Sequence, residues 1–67
     1  MNKYLLKIAT DLQIAEKSYD EEKKAIHDYS QRLVEAKSPQ LKKAIEHAKE
    51  EEKTHAAGFK KVMDKSI

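Results

Sequence analysis

The chain has 67 residues, of which 39% are hydrophobic and 39% are charged, and eight of the hydrophobic ones are alanine. Ordering a chain of this length costs on the order of 100 kcal/mol, so a core with so few large side chains calls for a partner subunit, a metal ion or both. The absence of cysteine excludes disulfides and thiolate zinc sites. The net charge is only +2, with acidic and basic residues interspersed, which excludes the basic surface of a nucleic-acid-binding protein.

The N-terminal segment, Met1–Thr10, contains neither a continuous apolar stretch nor a small-residue cleavage site, so it is not a secretory signal. Apolar runs in the whole chain are two or three residues long, which is too short for a membrane span. We therefore expect a cytoplasmic protein that binds neither membrane nor nucleic acid.

The strong helix breaker in the sequence is Ser38-Pro39. Serine is a favourable N-cap, and proline at the first helical position loses no hydrogen bond. The sequence predicts one helix over about 3–36, a turn at 37–38 and a second helix over about 39–65. Because so short a turn makes the helices antiparallel neighbours, we expect a single all-α helical-hairpin domain over residues 1–67.

Each predicted helix carries one stripe of residues that advances in alternating steps of three and four, the period of a left-handed helix pair. In the first helix the stripe consists of Leu5, Ile8, Leu12, Ala15, Tyr19, Glu22, Ile26, Tyr29, Leu33 and Ala36. In the second helix it consists of Leu41, Ile45, Ala48, Glu52, His55, Phe59 and Val62. Both stripes become buried when two hairpins form a four-helix bundle.

Three ionisable residues interrupt these stripes: Glu22, Glu52 and His55. Taken alone, Glu22 could be a tolerated polar position that reaches a lysine, and His55 a core histidine bonded to backbone. The Glu52-x-x-His55 spacing, however, places both side chains on one face of the helix, one turn apart. The turn lies about 15 residues from Glu22 and about 15 from this pair, so the hairpin brings all three to one level.

This set is half of a di-iron carboxylate centre, in which two helices each give a Glu and two others each give a Glu-x-x-His. Two copies of the chain would supply four Glu and two His, and would also bury both stripes. The sequence therefore predicts a homodimer that binds two iron ions, one per chain, on its twofold axis. The donor set suits iron or manganese best, and zinc or calcium could substitute.

The other residues near this level have more ordinary interpretations. Tyr29 lies seven positions after Glu22 on the same stripe, where it either fills the seam or donates a hydrogen bond to a ligand carboxylate. His27 and His47 lie off both stripes, and we expect them to be solvated and not to bind metal.

Three segments resemble the encapsulated ferritins of the ferritin-like superfamily: Glu21–Tyr29, Ala36–Leu41 and Glu51–Ala56. The resemblance implies a hairpin whose dimer builds a ferroxidase centre between subunits, with Glu22, Glu52 and His55 as iron ligands and Tyr29 beside them. It also implies oxidation of Fe(II) to Fe(III), rings of dimers, and delivery of iron inside an encapsulin nanocompartment. Lys24 and Asp28 depart from the family pattern of an outer iron-uptake site, of which Glu21 is retained.

Two other functions fit the same residues. In a metal-free dimerisation or adaptor module, the three ionisable residues would form a polar layer that fixes helix register. A rubrerythrin-like peroxide reductase would use a similar centre, but the chain has no rubredoxin-type cysteine motif to feed it electrons.

Overall fold

The computed structural model describes the backbone of residues 3–65 and the side chains of residues 10–65. It contains two helices, α1 (Lys3–Glu35) and α2 (Pro39–Lys65), which pack along each other as a hairpin of 56 × 14 × 13 Å. This confirms the predicted all-helical hairpin, and residues 3–65 contain no strand. Neither helix, over the same residues, has a stretch that is both long enough and apolar enough to cross a membrane.

The turn between the helices is held by backbone groups and one serine side chain. The Ala36 N–H donates to the Arg32 carbonyl at 2.9 Å, which completes the last turn of α1. The Ser38 hydroxyl accepts a hydrogen bond from the Leu41 N–H at 3.0 Å, and this makes Ser38 the N-cap of α2. With Pro39 at the first helical position, α2 begins without an unpaired donor at that residue.

The stripe predicted on α1 faces α2. Leu5 and Ile8 lie outside the residues whose side chains are described. From residue 12 onward every stripe residue is buried or half-buried: Leu12, Ala15, Tyr19, Glu22, Ile26, Tyr29, Leu33 and Ala36. The alternating step of three and four therefore identifies the inward face of this helix correctly.

On α2 the inward face is rotated from the predicted stripe. Ile45, Ala48, Glu52 and Phe59 are buried or half-buried as expected, but Leu41, His55 and Val62 are exposed. Ala56 is buried in place of its neighbour His55. Successive residues lie about 100° apart around a helix, and one partner helix covers only a narrow stripe. The flank that carries His55 is consequently left at the edge of the hairpin.

The core of the hairpin is thin. The buried hydrophobic residues among those described are Ala15, Ile45 and Ala56, whereas Ile14 and Val34 are exposed. Three small or medium side chains bury too little apolar surface to offset the ordering of two long helices. The fold itself therefore calls for a further surface to cover it.

Replacing Gly58 by alanine is expected to stabilise the chain by about 0.5–1 kcal/mol, because glycine costs conformational entropy inside a helix. A Cβ built at Gly58 meets no atom within 4 Å in the hairpin. Thermal unfolding followed by circular dichroism measures the effect, with Ala57→Gly as the matched control that should destabilise by a similar amount. A lower melting temperature for Gly58→Ala would contradict this expectation, and would indicate that another chain packs against Gly58.

Candidate metal centre

The hairpin brings Glu22, Glu52 and His55 together. One ligand atom from each residue lies within 4.8 Å of the other two. The Nδ1 atom of His55 is 3.8 Å from Glu22 Oε2 and 3.8 Å from Glu52 Oε2. Two donors on one first-row metal ion lie at most about 4.2 Å apart, twice the metal–ligand bond length, so the two His55 distances are within reach of a shared ion.

Local helix geometry and the turn together place these three side chains. Glu52 and His55 are three residues apart on α2, which puts them on neighbouring positions of the helix surface. Glu22 reaches them from the inward stripe of α1, because the turn at residues 36–38 sets the level at which the two helices meet. No loop residue takes part, so the cluster rests on regular helix throughout.

Burial differs sharply within the cluster. The side chains of Glu22 and Glu52 are only 21% and 24% exposed, whereas that of His55 is 55% exposed. The two carboxylates thus lie between the helices, and the imidazole lies at the edge that faces away from the hairpin. A ligand set with its third member on an outer edge is open to a second molecule on that side.

Glu22 Oε2 is the buried side-chain atom without a hydrogen-bond partner among the described residues. Its distance of 3.8 Å to His55 Nδ1 is too long for a hydrogen bond. Leaving a buried carboxylate oxygen unpaired is costly, and coordination of a cation removes that cost. The donor set of two carboxylates and one imidazole fits iron or manganese, which accept oxygen and nitrogen ligands.

Tyr29 lies on the same stripe as Glu22, about two turns further along α1, and is half-buried. Its ring lies 5.4 Å from the guanidinium carbon of Arg32. At this distance the guanidinium and the ring form a cation–π contact between residues one turn apart on α1. Seven residues separate Tyr29 from Glu22, so its backbone lies about 10 Å along the helix axis from that of Glu22.

The remaining histidines are away from the cluster. His27 is exposed on α1. His47 is exposed on α2, and its Nε2 is 2.7 Å from Glu51 Oε1, one turn along the same helix. Glu51 therefore pairs away from the centre although it is next to Glu52 in the chain. Lys53 similarly pairs with Glu50 at 3.2 Å on the surface of α2.

A helical hairpin with a Glu, Glu and His cluster across its two helices contains the components of a ferritin-like half-bundle. The family model described as EncFtn-like matches residues 1–60 of the chain. The chain therefore belongs to the EncFtn-like family, the encapsulated ferritin-like proteins, as the motif resemblance indicated. No curated protein and no solved structure matches it.

Proposed function

We propose that this protein is a ferroxidase, with Fe(II) as its substrate at a di-iron carboxylate centre formed between two hairpins. The observation that carries the proposal is the convergence of Glu22, Glu52 and His55, with Glu22 Oε2 buried and unpaired. Family membership supports iron as the metal, since the family is ferritin-like. A metal-free polar layer would be expected to pair its buried oxygens, which Glu22 Oε2 does not do.

The second hairpin belongs on the flank that carries His55. Leu41, Ala48, His55 and Val62 follow one another at intervals of seven residues, so they share one flank of α2. Leu41 and Val62 are exposed there, although both are large and apolar. A groove on the same face is lined by Tyr29, Arg32, Glu35, Ala36, Leu41 and Ile45. A twofold-related copy on this face would cover the apolar residues and bring a second cluster to the first.

The dimer would also balance the charge of the substrate. Four carboxylates from two chains neutralise two Fe(II) ions, while the neutral imidazoles add donors without charge. Dioxygen is the oxidant: each pair of Fe(II) ions would give it two electrons, and with two protons from water it would leave as hydrogen peroxide. Oxidation leaves the site with excess positive charge, which favours release of the Fe(III) product. The protein contributes position and charge, because the cluster holds no other acid or base.

Two further parts of the proposal rest on family membership. The first is assembly of the dimers into a ring, and the second is transfer of oxidised iron to an encapsulin nanocompartment as the cellular location. Both extend the iron-oxidising role without altering the cluster. Neither is required for the chemistry at Glu22, Glu52 and His55.

The direct test is aerobic addition of Fe(II) to the purified protein, with ferric absorbance compared with that of protein-free buffer. We expect faster oxidation, saturation at one iron ion per chain, and a shift to the dimer during size-exclusion chromatography. An adaptor module would show neither accelerated oxidation nor an iron-dependent change of size. A peroxide reductase would consume Fe(II) faster with hydrogen peroxide than with dioxygen.

Tyr29→Phe is expected to slow iron oxidation by about tenfold while the iron stoichiometry stays the same, since groups that support metal ligands tune activity more than occupancy. Stopped-flow absorbance gives the rate, and anaerobic titration gives the stoichiometry. Tyr19→Phe is the matched control, because Tyr19 is equally half-buried but lines the opposite face of the hairpin. Equal oxidation rates for Tyr29→Phe and the parent would show that Tyr29 has no role in iron oxidation.

A further inference from the structure

The side chains of the proposed centre supply no electrons of their own. The donors that converge are the carboxylates of Glu22 and Glu52 and the imidazole of His55, and dioxygen oxidises none of these groups. The electrons therefore come from the iron alone, one from each ion of a pair. Two Fe(II), one dioxygen and two protons give two Fe(III) and one hydrogen peroxide, so the O–O bond is still intact when the iron pair has been oxidised.

The chain has little with which to reduce this peroxide over repeated turnovers. It contains no cysteine, and thiols are the side chains that cells readily restore after oxidation by a peroxide. Of its two methionines, Met63 is the one with a described side chain. It is half-buried on α2, eight residues and therefore about 12 Å along the helix axis from His55. A methionine consumes one peroxide and remains a sulfoxide until a separate reductase restores it.

The described tyrosines cannot complete the reduction either. Tyr19 lies three residues before Glu22 and Tyr29 seven residues after it, on the same stripe of α1. A phenol gives up one electron, whereas reduction of hydrogen peroxide to two water molecules takes two. Single-electron reduction of the peroxide releases a hydroxyl radical instead. A tyrosine that acted as donor would be spent in one turnover, because the chain has no thiol to restore it.

The cluster also lacks a group that assists cleavage of the O–O bond. Cleavage is assisted by a proton donor beside the leaving oxygen. Within residues 10–65, the ion pairs of Glu22 and Glu52 are those with His55, so neither carboxylate has a lysine or an arginine as its partner. Lys53, the residue after Glu52, pairs with Glu50 on the surface of α2. The centre is therefore equipped to oxidise iron but not to break down its own second product.

We propose that a separate peroxide-removing reaction has to follow this protein, because the chain forms one hydrogen peroxide per iron pair and does not consume it. The inference rests on the ferroxidase function proposed above. The reaction required is cleavage of the O–O bond to give water, either by disproportionation or with electrons from a donor other than iron. The need for it is chemical, since free hydrogen peroxide and the Fe(II) substrate react with each other to give hydroxyl radical.

The test mixes the full chain aerobically with one Fe(II) per chain, so that no excess Fe(II) remains to consume peroxide. An oxygen electrode measures the dioxygen used, and a peroxidase-coupled dye measures the hydrogen peroxide formed. We expect one dioxygen per two Fe(II) and one hydrogen peroxide per dioxygen. Catalase added to a parallel sample without dye should return half of the dioxygen, which it can do only if the peroxide has left the centre.

Three variants test whether side chains of this protein consume peroxide: Tyr19→Phe, Tyr29→Phe and Met63→Leu. Each removes one oxidisable group and keeps a side chain of similar size. We expect each to yield as much hydrogen peroxide per iron as the parent, even though Tyr29→Phe oxidises iron more slowly. A higher yield from any of the three would show that the missing side chain reduces peroxide in the parent, and would overturn the proposal.

Repeated additions of Fe(II) test the need for removal. Without catalase the oxidation rate should decline from one addition to the next, and with catalase it should be retained. A chain that keeps its rate without catalase would need no peroxide-removing reaction after it.

The stoichiometry separates failure of this inference from failure of the ferroxidase proposal. If iron is oxidised faster than in buffer, but four Fe(II) use one dioxygen and no peroxide appears, the inference is wrong and the ferroxidase function stands. If oxidation is no faster than in buffer, both are wrong.

Discussion

His55→Ala and Glu52→Ala are each expected to reduce iron oxidation to the rate of protein-free buffer. Each substitution removes one of three converging donors from a hairpin, and therefore two donors from the proposed centre between two chains. Glu22→Ala should act in the same way, since Glu22 is the proposed ligand from the opposite helix. The measurement is the initial rate of ferric absorbance after aerobic mixing with Fe(II).

His47→Ala is the matched control, because His47 is an exposed histidine on the same helix that pairs with Glu51. It should oxidise iron like the parent, and all four variants should retain their helical circular dichroism. If His47→Ala were as inactive as His55→Ala, the alignment of the two helices along the hairpin axis would differ from the one described. The placement of the site would then be wrong with it.

Removal of metal by a chelator at neutral pH is expected to shift the dimer toward monomer or to lower its melting temperature. A metal that binds only the folded dimer contributes about 2.7 kcal/mol when its concentration is 100 times Kd. For a domain of this size, that loss corresponds to a shift on the order of 10 °C. In the proposed dimer without metal, the carboxylates of the two chains would also repel one another. Sedimentation and thermal unfolding, with and without chelator, measure both effects.

Glu52→Ala serves as the control for this effect. The variant should no longer respond to chelator, and in metal-free buffer it is expected to be as stable as the parent or more so. The reason is that the substitution removes a half-buried carboxylate next to the unpaired Glu22 oxygen. If neither the size of the dimer nor its melting temperature changed on addition of chelator, this would argue against a metal between the subunits.

The hairpin follows from local sequence signals. The Ser38-Pro39 pair combines an N-cap with a proline that starts a helix, and the structure shows the corresponding Ser38 hydrogen bond. The unbroken stripe on α1 predicted its inward face, because every fourth or third residue of a helix returns to the same side. Counting residues on both sides of the turn predicted that Glu22, Glu52 and His55 lie at the same height along the hairpin.

The orientation of α2 could not be read from the same pattern. A step of three and four residues is satisfied by the flank of His55 and by the neighbouring flank of Ala56, and the structure buries Ala56. Which flank turns inward depends on how closely the two helices approach, and an alanine permits the closer approach.

Anomalous diffraction at the iron absorption edge, from crystals grown with Fe(II), would locate the iron ions on the protein. We expect a pair of iron ions at a twofold axis, held by Glu22, Glu52 and His55 of one hairpin and by the same residues of a second. Iron elsewhere on the chain, or an iron ion held by the residues of one hairpin alone, would contradict it.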